Sequence, residues 1–357
     1  MRPESTAMFR EAAEAPEAVA RQLDANRERM RRVGLALREC PPRVVVTCAR
    51  GSSDHAATFA RYLIETRTGV LTASTPPSVS SVYGVRRDLR GVLFLAISQS
   101  GASPDLVAAA RSAKEAGARV LALVNAAGSP LAETADHIIA LDAGLETSVA
   151  ATKSYIATLA ALVHLVSRWT GDEALLAALE DVPAALASAW ELDWSPALAA
   201  FERASSLYVL GRGLGLGAVE EAALKLKETC GVHAEGLSAA EARHGPMALV
   251  REGFPVLIFT QNDATRAGVL SIAAEFAAHG ARVLIAGGSE AHRFGFRSDF
   301  GSNATSGPVA LPLIEAHPAI EPMLFIQRFY RLANALALAR GLDPDHPPHL
   351  AKVTETV

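Results

Sequence analysis

The sequence is poor in cysteine, with only Cys40, Cys48 and Cys230 and no CxxC pair. An odd, widely spaced set supports neither a disulfide framework nor a cysteine zinc site, so all three are expected to be buried thiols. Clustered positive charge is also missing. With 34 basic and 38 acidic side chains the net charge is −4, and no stretch gathers Lys and Arg. A nucleic-acid partner is therefore not expected. Long apolar runs are absent too. The longest in a helical context, Tyr155 to Val166, is interrupted by His164 and falls short of the roughly 20 residues that a spanning helix needs. No membrane partner is expected. Residues 1 to 25 carry Glu4, Glu11, Glu14 and Glu17 among small residues, without the basic start and apolar stretch of a secretory signal. The expected location is cytoplasmic.

What remains is a chain of 357 residues, half of them hydrophobic and 20% charged, able to bury a sizeable core. At roughly 100 to 200 residues per domain the length suggests two domains and a connector or tail. Short β-branched runs at Arg43–Thr47, Gly91–Ile97, Arg119–Val124 and His137–Leu141 read as buried strands. Ala-rich amphipathic stretches such as Ala56–Thr66 and Pro104–Ala116 lie between them and read as helices. Lys153–Thr170 and Glu173–Leu192 read as helices with no strand between, after which the alternation restarts at Ser206–Leu210 and Pro255–Thr260. This is the pattern of an α/β protein with mostly parallel sheets flanked by helices, a flavodoxin-like three-layer sandwich.

The halves repeat. Arg50-Gly51 recurs at Arg212-Gly213 and Ser98-Gln99-Ser100 at Thr260-Gln261-Asn262, both 162 residues on; Gly117-Ala-Arg-Val-Leu recurs at Gly280, 163 residues on. Three ordered matches at a nearly constant offset indicate two copies of one domain. The expected organisation is an N-terminal helical segment at 1–25, a first domain at 26–172, a helical connector at 173–196, a second domain at 197–340 and a C-terminal tail at 341–357.

Chemistry in an open parallel sheet belongs beyond the carboxyl ends of the strands. There the first domain places Arg50-Gly51-Ser52-Ser53 and Ser98-Gln99-Ser100-Gly101-Ala102-Ser103, each between a strand and a helix. Glycine and hydroxyls at a helix start can cap and turn, or can surround a phosphate with N–H and O–H donors. Two such loops in one domain favour phosphate. No P-loop lysine motif and no GxGxxG after the first strand is present, so a monophosphate is expected and no nucleotide cofactor. Gly211-Arg-Gly213-Leu-Gly-Leu-Gly217 resembles a dinucleotide fingerprint only superficially, because no ribose-binding acid follows.

In the second domain a helix at about Ala218–Thr229 carries Glu221, Lys225 and Glu228 on one face. Spacing alone favours a solvated stripe of ion pairs. His233, Glu235, Glu241 and His244 follow closely, His244 in a turn before Gly245-Pro246. No metal-ligand spacing such as HExxH occurs, so no metal is expected, and carboxylate with histidine suggests proton transfer.

With these residues in place the chain resembles the sugar isomerase (SIS) double-domain family, which forms the isomerase half of glutamine:fructose-6-phosphate aminotransferase and includes stand-alone glucosamine-6-phosphate deaminases. The resemblance runs from Met8–Pro16 through the loops at 50–56 and 98–101, Glu146-Thr-Ser-Val149-Ala-Ala-Thr-Lys153, Gly211–Gly213, Glu221–Glu228, His233–Glu235 and His244–Pro246 to Pro348-His-Leu-Ala351-Lys352. It implies a sugar phosphate held by Gly51, Ser52, Ser98, Gln99, Ser100 and Ser103, with Ser53, Val149 and Ala351 lining the site. It implies Glu228 as the proton shuttle with Lys225 beside it, His244 as the ring opener, Lys352 as the amine facing the carbonyl, and Glu221 and Glu146 in support. It also implies a homodimer in which His244 reaches the neighbouring subunit's site, and no cofactor. Arg50 and Ala102 depart from the family's usual residues. The expected activity is conversion of glucosamine 6-phosphate to fructose 6-phosphate and ammonia, the deaminating direction being favoured because no glutaminase segment is present. A fructosamine-6-phosphate deglycase, a glutaminase-lacking aminotransferase homologue and a non-catalytic sugar-phosphate sensor are the alternatives.

Overall fold

The computed structural model describes residues 2–287 and 308–352. Its strands are β1 (Val44–Cys48), β2 (Thr72–Ser74), β3 (Val92–Ser98), β4 (Arg119–Val124), β5 (His137–Ala140), β6 (Ser206–Gly211), β7 (His233–Ser238), β8 (Pro255–Phe259), β9 (Arg282–Ala286) and β10 (Val309–Leu311). The helices up to the middle of the chain are α1 (Ala7–Ala13), α2 (Ala15–Glu39), α3 (Ser52–Thr68), α4 (Ser78–Ser81), α5 (Pro104–Glu115), α6 (Pro130–Thr134) and α7 (Lys153–Thr170). They continue as α8 (Glu173–Glu180), α9 (Val182–Trp190), α10 (Ser195–Phe201), α11 (Leu216–Cys230), α12 (Arg266–Ala278) and α13 (Glu321–Ala339). No helix among the described residues is long and apolar enough to cross a membrane.

Each half builds a five-stranded, all-parallel sheet. The first has the order β2-β1-β3-β4-β5. The second has the order β7-β6-β8-β9-β10, which is the same winding. This is the doubly wound, flavodoxin-like order, whose direction of winding reverses between its first and third strands. The repeat in the sequence is thus a repeat of topology. The first core packs Phe94, Ala96, Val120 and Ala122 of the sheet against Leu106 and Ala110 of α5. The second packs Leu210, Val256 and Ile258 against Ala273 and Phe276 of α12.

The two compact units do not follow chain order. The first-sheet unit comprises Glu14–Glu146, Lys153–Pro183 and described tail residues 351–352; the second-sheet unit comprises 2–13, Thr147–Thr152 and the described part of Ala184–Leu350. The boundary expected at 25/26 falls inside α2, which buries Val19, Gln22, Asn26, Met30, Val33 and Leu37 on one face. Gln22 Nε2 donates to the carbonyls of Leu141 and Ala157 at 3.1 and 2.7 Å, joining α2 to its own unit. Residues 2–13 instead join the second unit, where the amides of Ala7 and Met8 both donate to Asp345 at 2.7 Å.

Three local expectations are corrected. The stretch expected as one helix at Glu173–Leu192 is two, α8 and α9, parted at Asp181, where Pro183 in the first turn of α9 offers no N–H to a continuing helix. Helix α3 begins at Ser52, four residues before expectation, because Gly51 at φ 54° turns the chain straight off β1. Cys40 is exposed; Cys48 and Cys230 are buried, and burial pushes their thiols up to about 12 and about 11.

Candidate active site

In the first unit β1 and β3 are neighbours, with Cys48 opposite Ala96, so the loops that follow them leave the sheet side by side at its switch point. Gly51 is the N-cap of α3 and Ser103 that of α5, and neither helix start is capped by the side chain of its N-cap residue. Ser98 is buried at the end of β3, and its Oγ accepts from Gly101 N at 3.0 Å. Ser100 Oγ accepts from Ala102 N at 3.3 Å. Gly101 has φ +63°, and a Cβ there would lie 2.1 Å from Ser129 Oγ, so the hairpin-tight loop admits only glycine. Ser52, Ser53, Gln99, Ser100 and Ser103 are part-exposed and Gly51 is exposed. These six stand on two adjacent loops as expected. The arrangement offers hydroxyls and helix-start amides to an anion.

Arg50 links the two loops. Its Nε and Nη2 donate to Asp105 Oδ2 at 3.1 and 2.7 Å, while Asp105 itself is buried in the first turn of α5. This fork is the structural counterpart of the family departure noted at position 50.

A cleft of about 650 Å³ opens in the same unit, lined by Gln99, Asn125, Arg21 and Glu146 among others. Glu146 is fully buried at its side chain and is held by Ser154, whose Oγ donates to Oε2 at 2.6 Å. Lys352 Nζ donates to the same oxygen at 3.1 Å. The structure therefore brings Lys352 to Glu146, with Ala351 exposed beside it.

In the second unit, α11 carries the expected Glu221, Lys225 and Glu228, but not as a solvated stripe. The Lys225 side chain is 1% exposed and that of Glu221 0%. Lys225 Nζ lies 3.4 Å from Glu221 Oε1 and 2.5 Å from Glu228 Oε2. Tyr330 of α13 donates its hydroxyl to Glu221 Oε1 at 3.1 Å. Burial alone would lower the Lys225 pKa, but the two carboxylates outweigh it and hold it above the ordinary lysine value. Glu228 is the member that reaches solvent, its side chain 20% exposed. Spacing showed that the three share a face; it did not show that α13 covers that face.

His244 ends a 3-10 turn at Ala239–His244 and is exposed, followed by Gly245 at φ 136°. His233 and Glu235 lie exposed on β7 and do not join the α11 cluster. Among the described residues no group of three His, Cys, Asp or Glu side chains is placed to hold a metal ion. Val149 sits in the 147–152 segment of the second unit, its amide donating to Asp345 O at 3.3 Å. Glu11, which sequence reasoning did not single out, grips that segment: it accepts from Thr147 N at 2.5 Å, Thr147 Oγ1 at 2.8 Å and Ser148 N at 3.1 Å. Nothing in its local pattern marks Glu11, because its partners lie more than 130 residues away.

Comparison with known proteins gives a consistent picture. A model of the SIS domain matches residues 38–168 and 200–290. The chain is 32% identical to the glutamine–fructose-6-phosphate aminotransferase (isomerizing) of Thermococcus kodakarensis over 97% of its own length and 57% of that protein. It spans about half the length of the curated relatives it matches. Among solved structures, a candidate phosphosugar isomerase from Silicibacter pomeroyi DSS-3 superimposes with TM-score 0.86 at 43% identity, covering 95% of this chain and 100% of that one. The C-terminal domain of the glucosamine-fructose-6-phosphate aminotransferase of Francisella tularensis gives TM-score 0.82 at 25% identity, covering 96% and 98%.

Proposed function

The chain belongs to the SIS domain family, and from that premise we propose that it is a phosphosugar isomerase working in the cytoplasm as a glucosamine-6-phosphate deaminase. The observation that carries this reading is the Glu221–Lys225–Glu228 cluster. Burying an ion pair on a helix face gains little stability over an apolar pair. Here it fixes one carboxylate, Glu228, with an outlet to solvent. A module that only binds a sugar phosphate needs the serine loops and no such carboxylate.

In the proposed reaction Gly51, Ser52, Ser53, Ser98, Gln99, Ser100 and Ser103 hold the phosphate, and Val149 and Ala351 line the sugar. His244, supplied by the neighbouring copy in a homodimer, donates a proton to the ring oxygen and recovers one from the C1 hydroxyl, so that the ring C1–O bond breaks and the aldehyde forms. Glu228 then takes the proton from C2 of the open-chain aldehyde, giving an enolamine, and returns it to C1, leaving an imine at C2. Water adds to the imine, and ammonia leaves with fructose 6-phosphate as the other product. Lys352, steadied by Glu146, faces the carbonyl carbon. Proton transfer of this kind requires no cofactor.

The test is to incubate the purified protein with glucosamine 6-phosphate and to measure ammonia and fructose 6-phosphate together. Equimolar release is expected. Release from a fructosamine 6-phosphate but not from glucosamine 6-phosphate would replace the deaminase with a deglycase. Glu228→Gln should lower kcat by about 10³-fold with KM nearly unchanged; full residual activity would mean that another group moves the proton.

A further inference from the structure

The cleft of about 650 Å³ in the first unit has two working ends, Gln99 on the loop after β3 and Glu146, which holds Lys352. Between them lies Asn125, the residue directly after β4. Strand β4 stands between β3 and β5 in the sheet. Asn125 therefore leaves it with the Gln99 loop on one side and the chain that leads to Glu146 on the other, and it is bonded to both. Its backbone N–H donates to Gln99 O at 3.1 Å. Its side chain takes the other side: Oδ1 accepts from Ala143 N at 2.9 Å, and Nδ2 donates to Gly144 O at 2.8 Å.

The turn it grips needs holding. Asp142 has φ 48° and Gly144 φ 76°, so two of three successive residues are left-handed. Such backbone is costly for a residue with a Cβ and persists where its surroundings fix it. Helix α2 holds the first half of the turn, Gln22 Nε2 donating to Leu141 O at 3.1 Å and Arg21 Nη2 to Asp142 O at 3.4 Å. Asn125 holds the second half, which ends two residues before Glu146. One of its partners is an N–H and the other a carbonyl, so the side chain must carry an acceptor and a donor together. A carboxylate of the same shape would turn an oxygen onto the Gly144 carbonyl.

We propose that Asn125 is a positioning residue for the reaction set out above, on which this role rests: it fixes the span between the phosphate loops and the Glu146–Lys352 pair that faces the sugar carbonyl. Asn125 moves no proton itself and acts through Lys352. A misplacement of about 1 Å at the reacting atoms can cost 100-fold in rate. The bond to Gln99 is made by backbone and survives any substitution short of proline, whereas both bonds to the turn are made by the side chain. Phosphate affinity and turnover should therefore separate.

The test uses Asn125→Asp, nearly isosteric at a part-exposed position, and Asn125→Ala. Turnover is measured with whichever of glucosamine 6-phosphate and fructosamine 6-phosphate the wild type consumes, and phosphate affinity with inorganic phosphate as a competing inhibitor. Both variants should lose about 10-fold to 100-fold in kcat and hold inorganic phosphate within about twofold of the wild type. Adding Asn125→Ala to Lys352→Met should cost no more than about a further twofold, because a loss that acts through Lys352 has already been taken; a general loosening of the fold would multiply instead. The positioning role is overturned if both variants keep kcat within about twofold of the wild type, if phosphate affinity falls as far as kcat, or if the two substitutions multiply in full. Consumption of fructosamine 6-phosphate alone by the wild type would overturn the deaminase reading and leave this test intact; consumption of neither sugar would overturn both.

Discussion

At the end of β3 stands Ser98-Gln99-Ser100, and 162 residues later, at the end of β8, stands Thr260-Gln261-Asn262. The backbone setting is the same and the outcome differs. Gln99 is part-exposed and lines the 650 Å³ cleft. Gln261 is fully buried, and its Nε2 donates to Arg212 O at 2.7 Å and Asp263 Oδ2 at 2.9 Å. Its Oε1 stands 2.6 Å from where a Cβ on Gly215 would be. The second switch point is therefore filled by its own glutamine, whereas the first leaves Gln99 and Ser100 part-exposed beside an open cleft.

The helices behind the two loops differ in the opposite sense. Phe59 and Leu63 of α3 are fully buried. Glu221 and Lys225, the residues 162 further on, occupy the corresponding positions of α11, also buried but an acid–base pair 3.4 Å apart. The two frames share one winding, but the first carries an open cleft beside its loops and an apolar pair on its helix, while the second carries a filled loop and a buried ion pair that holds Glu228.

Removing the charge that holds the second frame together should have the largest effect. Lys225→Met would leave Glu221 buried without its cation and should cost about 3–5 kcal/mol by chemical denaturation. A loss within the error of the measurement would mean that the cluster is solvated after all.

The units should also part company with pH. In the first, His164 has a folded pKa of about 4 against an ordinary 6.5. The unfolded chain binds the extra proton between those values, so this stability is complete above pH 6.5 and is lost as pH falls toward 4, on the order of 3 kcal/mol in all. Denaturation midpoints for wild type and His164→Phe should converge over that window. In the second, the raised pKa of Lys225 has the opposite sign: its contribution is complete below 10.5 and is lost only as pH rises beyond it. A unit-specific probe such as hydrogen exchange would separate acid loosening of α7 from alkaline loosening of α11.

The smallest effect compares the two loops directly. Ser100→Ala should raise KM for the sugar phosphate about tenfold with kcat little changed, the loss of one hydrogen bond to a charged group. Asn262→Ala, at the matching position, should leave both constants alone. Equal effects would place a ligand at both switch points.

Much of this was legible in the sequence, and the misses have physical causes. Strand β4 and helix α7 fall where the β-branched and amphipathic patterns put them, and the 162-residue repeat anticipated the shared winding of the two sheets. Strand β2 has only three residues, and β7 is an Ala- and Gly-containing edge strand with His233 and Glu235 exposed, so neither has the apolar signature of an inner strand. Periodicity placed Glu221, Lys225 and Glu228 on one face, but burial of that face depends on Tyr330 and the rest of α13, more than 100 residues on. The membership of residues 2–13 and 147–152 in the second unit likewise rests on long-range partners, Asp345 and Glu11, that local pattern does not reveal.

The most direct measurement gives the second frame an apolar helix face, as the first frame has. Glu221→Leu with Lys225→Leu and Tyr330→Phe removes the buried charges and the hydroxyl that serves them, and leaves Glu228 in place. Buried ion pairs replaced by apolar groups are commonly neutral or stabilising by about 1–4 kcal/mol, so the variant should unfold at the wild-type denaturant concentration or above it. Release of ammonia from glucosamine 6-phosphate should nevertheless fall by about 100-fold or more, because Glu228 would have lost the ammonium that positions it. A stable variant with wild-type turnover would contradict the claim that the buried charge in α11 exists for catalysis.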